Sequence, residues 1–177
     1  NHDYEVVCGG GIGHHSRTFT HRLFSHFFDA EPYGAVDAEG WRFVMLNSQL
    51  GETWSSQSSL CATNTGSYGE DQLAWLNAQL EEDLPTIVMS HHHMLSSTLS
   101  NENNGPNPDI STVLGRHENA VAHIAGHFHR WLDLEASDVH PARHLILGAT
   151  RYDTDNFWVA DLDPDGSLTI VDYEKAK

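Results

Sequence analysis

The chain has 177 residues, 39% of them hydrophobic, enough for a single core and one ordinary domain. Its formal charge of −16, from 25 acidic against 9 basic residues, argues against nucleic acid or an anionic membrane as an electrostatic partner. No apolar run reaches the roughly 18 residues that a membrane span needs.

In chain order, residues 1–16 read as loop, because Gly9, Gly10, Gly11 and Gly13 leave them no regular structure. Ser16 is placed as the N-cap of a helix running to about Phe28, with Phe19, Leu23, Phe24 and Phe27 on one face. Strand-like runs at 33–38 and 41–47 are joined by Glu39-Gly40, which reads as a hairpin. Residues 48–67 are polar and aperiodic, and a loop that long in one domain is often functional. Cys8 and Cys61 lie in Gly/Ser/Thr/Asn-rich loops. Either they pair, closing a long loop and favouring an extracytoplasmic home, or they are two unpaired thiols and a cytoplasmic setting stands.

A second helix is expected over about 70–82, with Leu73, Leu76 and Leu80 at helical spacing and Pro85 ending it. The short apolar strand 86–90 then empties into His91-His92-His93. A polar loop at 100–109 precedes a short helix to about Arg116, and a strand at 121–125 ends at Gly126-His127-Phe128-His129. Further strands are expected at 131–134, 145–147, 157–162 and 168–171, the last two joined by the turn Asp163-Pro164-Asp165-Gly166. The whole, 1–177, is read as a single α/β domain. Fourteen histidines against nine Lys plus Arg are not serving as surface charge, and several fall at strand exits, where loops of layered α/β folds converge on the active site.

Three clusters carry the chemistry: Asn1-His2-Asp3, Ser90-His91-His92-His93 and Gly126-His127-Phe128-His129. Neutral imidazole is the commonest ligand for zinc, iron and manganese, and mixed His, Asn and carboxylate shells suit hard-to-borderline divalent ions. In His127-x-His129 the intervening residue lets two rings point at two different metals, and Gly126 gives the backbone room to turn off the strand.

At these residues the chain resembles the calcineurin-like metallophosphoesterases. Asn1-His2-Asp3 is similar to the family's Gly-Asn-His-Asp/Glu block without its Gly, residues 88–93 to its strand-then-histidine block, and residues 126–129 to its Gly-His-x-His block. The stretch 69–93, with Gln72-Leu73-Ala74-Trp75-Leu76, resembles the cyclic-nucleotide phosphodiesterase and purple acid phosphatase branches. The blocks come in the family's order over most of the chain. The resemblance implies a four-layer α/β/β/α sandwich, with two mixed sheets face to face and helices outside. It also implies that the N-terminal portion of the domain lies upstream of Asn1.

Carried over residue by residue, it implies that Asn1, His92 and His127 bind one metal and His129 the other. His92 is selected from the triple because related blocks place the ligand two residues before a Pro, and Met94 stands at that position. His2 would bind no metal; it would stabilise the transition state and protonate the leaving alkoxide. The implied cofactors are two divalent or trivalent ions of the zinc, manganese or iron kind. The implied reaction is hydrolysis of a small phosphomonoester or phosphodiester by water activated between them. The family's Asp-x-His and bridging Asp lie upstream of Asn1, so the missing N-terminal half would be needed for activity. Asp138-Val139-His140 is a displaced Asp-x-His, but it follows polar Glu135-Ala136-Ser137 rather than an apolar strand and is not counted as a ligand pair.

His14 and His15 either contact substrate or lie on the surface, and His21, His26, His117, His123, His140 and His144 are read as structural or exposed. Trp54, Tyr68 and Trp131 either wall a cleft or pack. A non-catalytic His-rich metal-binding module and an inert fragment are the alternatives to the phosphoesterase. Half a layered sandwich would expose its inner sheet face.

Overall fold

Ile87-Val88-Met89 carries no polar side chain, the pattern of a strand covered on both faces. In the computed structural model this run forms β3 (Thr86–Ser90), in the middle of a six-stranded mixed sheet. The structure describes residues 4, 6–9, 17–93, 109–137, 141–149 and 158–171. The other strands of that sheet are β1 (Gly34–Ala38), β2 (Trp41–Met45), β4 (Ala120–Ala125), β5 (Leu132–Leu134) and β6 (Arg143–Ile146), in the order β1-β2-β3-β4-β6-β5. The four inner strands β2, β3, β4 and β6 run parallel, and β1 and β5 close the edges antiparallel. Loops leaving the inner strands therefore emerge together at one end of the sheet.

The expected β1–β2 hairpin forms with Ala38 opposite Trp41, and its turn residues Glu39 and Gly40 both take positive φ, 50° and 81°. That pair of left-handed residues matches the strands' twist and is the reason a glycine stands second. α2 (Glu70–Leu80) and α3 (Ile110–Leu114) cover one sheet face, packing Leu73, Leu76, Leu80, Val113 and Leu114 on Val44, Val88 and Ala120. Asp109 caps α3 by accepting from the Thr112 N–H at 2.7 Å. The end of α2 is tied down twice. Arg42, buried in β2, donates to the Gln79 carbonyl and pairs with Asp37 and Glu82, while the Asn119 amide reaches the carbonyls of Leu80, Glu82 and Leu84. The two carboxylates raise the Arg42 pKa further, and Arg42 holds the Asp37 carboxyl below its usual value.

The other face is covered unevenly: Trp41, Ile87, Ala122 and Leu145 are buried on it, and its edge is open. β7 (Val159–Leu162) and β8 (Leu168–Val171) form a separate two-stranded ribbon. It is joined to the large sheet by Trp41 Nε1 donating to the Asp163 carbonyl, by Arg143 donating to the Leu168 carbonyl, and by Trp131 stacked on Trp158. Val36 and Met45 on that face remain 55% and 41% exposed. The mixed α/β sheet with helices is the expected class; the second sheet, among the described residues, is this ribbon alone. α1 (Arg17–Phe28) forms within the expected bounds, but among the described residues nothing covers Leu23, Phe24 and Phe27 of its apolar stripe, which are exposed. Helical spacing marks the stripe without supplying anything to pack against it.

Candidate metal centre

The ends of β3 and β4 lie side by side in parallel register, Ser90 beside Ala125. The chain leaving β3 carries His91 and His92, and the chain leaving β4 carries His127. One nitrogen from each of these three side chains falls within 4.8 Å of the others. The two exits are tied by the Gly126 N–H donating to the His91 carbonyl at 3.0 Å. His127 Nδ1 and His91 Nε2 stand 3.1 Å apart, and the rings of His92 and His127 are 4.4 Å apart.

His92 is the best defined of the three. Its ring is fully buried, with Nδ1 2.7 Å from Ser48 Oγ on the loop that follows β2. Its Nε2 is buried with no hydrogen-bond partner. An imidazole held through Nδ1, with its other nitrogen unpartnered and two more imidazoles beside it, is the arrangement of a metal ligand fixed by its outer partner. Burial first, then the neighbouring His127 and His91, push its pKa down to about 2, so it is neutral and able to ligate. His93, also buried, is lowered to about 4 by burial and His127. An all-imidazole set suits borderline ions such as zinc rather than magnesium or calcium, and these three residues fit such an ion.

Local backbone brings His127 in. The Phe128 N–H donates to the Gly126 carbonyl at 2.7 Å, closing a γ-turn around His127, whose φ is 66°. This positive-φ γ-turn is the rarer, strained kind, and such strain gathers at functional sites. Gly126 itself is not sterically forced, since a Cβ there would meet nothing nearer than 3.8 Å; the sharp turn expected of it is made at His127 instead. His129, with φ 54°, is exposed and does not belong to the converging set. Asn1, His2, His14, His15 and residues 138–140 lie outside the described residues.

The site holds more residues than the sequence assigned to it. His91 joins the cluster beside His92, although a single ligand was expected from the triple. Gly66 sits against the His92 ring: a Cβ there would lie 2.5 Å from Cγ and 2.7 Å from Nδ1. His123 and His144, expected as structural or exposed, are fully buried beneath the site. Ser90 Oγ donates to the His92 carbonyl at 2.8 Å. Its one proton being spent there, it accepts from Tyr68 Oη and from His123 Nε2, both at 2.8 Å. Neutral His123 then accepts at Nδ1 from His144 Nδ1–H, 3.0 Å away. Every donor in this chain points toward the His92 backbone. Burial, then His144 and His93, holds the His123 pKa well below the ordinary value. Trp54 and Tyr68, read as cleft wall or packing, are buried.

No protein-family model and no curated protein matches the chain. Among solved structures, a dimetal phosphatase from Danio rerio is similar, with 17% identity and a TM-score of 0.48 over 82% of this chain. This chain spans 60% of that structure's length.

Proposed function

We propose that this chain carries the C-terminal share of the active site of a metal-dependent phosphoesterase. The observation that carries the reading is the convergence of His91, His92 and His127 at two adjacent strand exits, with the buried Nε2 of His92 lacking a hydrogen-bond partner. Its further support is the ordered Asn-His-Asp, triple-His and Gly-His-x-His blocks. A bound ion supplies Lewis-acid polarisation of a phosphoryl oxygen and lowers the pKa of water. The residues do the rest. His91, His92 and His127 bind and orient, Ser48 fixes the tautomer of His92, and His2 protonates the leaving oxygen. Positive charge gathered at this one point lets a protein of net charge −16 accept an anionic ester. The small phosphoester substrate, the second ion, the role of Asn1 and His129 as ligands and the need for upstream residues belong to the same proposal.

The test is metal content and hydrolysis of aryl phosphomonoester and phosphodiester, measured on this chain and on a longer one carrying its upstream sequence. His92→Ala and His127→Ala are expected to lose metal and turnover together. His2→Ala is expected to keep its metal and lose roughly 10²–10⁴-fold in rate, the usual worth of a general acid. Stoichiometric metal without turnover in the longer chain would make this a metal-binding module. No metal in either chain would sink the reading.

A further inference from the structure

The loop 48–67 closes on itself around His92. Its two ends pair, the Ser67 N–H donating to the Ser48 carbonyl at 2.7 Å and the N–H groups of Leu50 and Gly51 to the Ser67 carbonyl at 3.2 and 3.0 Å. From one end Ser48 Oγ holds His92 Nδ1, and from the other Gly66 lies flat on the same ring. The imidazole is thus gripped between the two ends of a single loop through its Nδ1 side, and its Nε2 is the nitrogen left without a hydrogen-bond partner.

The far part of the loop is fastened from outside. Cys61 is disulfide-bonded to Cys8, 53 residues earlier, with Cα atoms 5.5 Å apart. Beside that bond the Gly9 N–H donates to the Ser56 carbonyl at 2.9 Å. Tyr4 packs edge-on against Trp54 and accepts from the Asn47 amide at 2.7 Å. Trp54 in turn donates to the Thr65 carbonyl, next to Gly66, at 3.0 Å. Next to Cys61 the Ala62 N–H donates to the Thr53 carbonyl at 2.9 Å, beside Trp54, so the covalent tie is connected through Thr53, Trp54 and Thr65 to the glycine that backs the ligand.

We propose that this loop is a disulfide-locked clamp that holds His92 in ligand orientation, so that reduction of Cys8–Cys61 weakens metal binding at the centre. The inference rests on the metal-centre reading above and adds redox control to it. Ser48 and Gly66 act as positioning residues, and neither bonds the metal. Reduction leaves the segment carrying Cys8 held to the loop only by the Gly9–Ser56 hydrogen bond and the Tyr4–Trp54 contact, returns mobility to the loop and lets the His92 ring leave its single orientation. Orienting partners of ligating histidines usually change metal affinity by about 10- to 100-fold when removed, which sets the expected size.

The experiment titrates cobalt(II) into the 177-residue chain, reading the dissociation constant together with the visible d–d spectrum. The chain is used oxidised, reduced with the reductant then removed under argon, and reoxidised. Reduction is expected to weaken binding about 10-fold or more and alter the band shape, with both restored on reoxidation. Ser48→Ala should reproduce the loss in the oxidised chain, and Ser48→Thr, which keeps the hydroxyl, should rescue it. Leu80→Ala, a core truncation, should lower the unfolding midpoint and leave the spectrum alone. Should Cys8→Ser/Cys61→Ser fold poorly, the reversible reduction and the Ser48 pair still decide. An oxidised chain that binds cobalt with an affinity and spectrum unchanged by reduction and by Ser48→Ala overturns the clamp alone. A chain that takes up no cobalt in any state overturns the metal centre and the clamp with it.

Discussion

His92 is kept neutral by burial and by the imidazoles around it, with a pKa of about 2, and His93 by burial and His127 at about 4. In the unfolded chain both return to about 6.5. Below that value the unfolded state takes up protons that the folded state refuses, so folding stability falls as pH falls. His123, buried and also lowered, adds in the same direction. The stability of the metal-free chain is thus fully present above about pH 6.5 and drains away as pH drops toward 4, where His93 begins to charge in the fold, and further toward 2. Each such group contributes a slope of about 1.4 kcal/mol per pH unit at most. Carboxylates are ionised in both states between pH 6.5 and 5.5, so a decline in that window belongs to imidazole. Urea unfolding of the apo chain at half-unit pH steps measures it. A flat profile there would mean that these rings are solvated in the fold.

At the scale of elements, α2 packs its leucines on the strands whose ends carry the histidines. Leu76 on α2 is fully buried in the core against β2 and β3. Leu76→Ala is expected to cost about 2–5 kcal/mol, the range for deleting a core leucine, read as a fall in the urea midpoint with little change in slope. β3 and α2 were legible in the sequence because apolar run length and three-to-four spacing are local signals. The same signals placed His91, His92 and His127 at strand exits. They could not reveal Ser48, which meets His92 across 44 positions of sequence, or Gly66, whose lack of a Cβ matters only once the ring is beside it. His123 and His144 stand within strand runs, where alternation shows that side chains change faces without showing which face is covered. α1 illustrates the opposite limit: its stripe was readable, and its packing was not.

For the molecule as a whole, the charge of −16 means that any cation stabilises it somewhat by relieving self-repulsion, so a rise in melting temperature with added metal is not by itself proof of a site. Coordination and screening differ in which ion they prefer. A set of three imidazoles binds zinc or cobalt and ignores magnesium, which demands oxygen ligands, whereas an acidic surface treats divalent ions much alike. An ion that binds only the folded state stabilises it by about 2.7 kcal/mol at a hundredfold excess over its dissociation constant. Thermal unfolding of the oxidised chain should therefore shift upward with zinc and saturate, while the same concentration of magnesium in 0.15 M salt gives little. His92→Ala removes the unpartnered Nε2 and leaves the net charge at −16, so on the proposed reading it should abolish the zinc-specific shift and keep whatever magnesium produces. Equal shifts with both ions, insensitive to His92→Ala, would assign the stabilisation to the acidic surface and leave the three histidines without an ion.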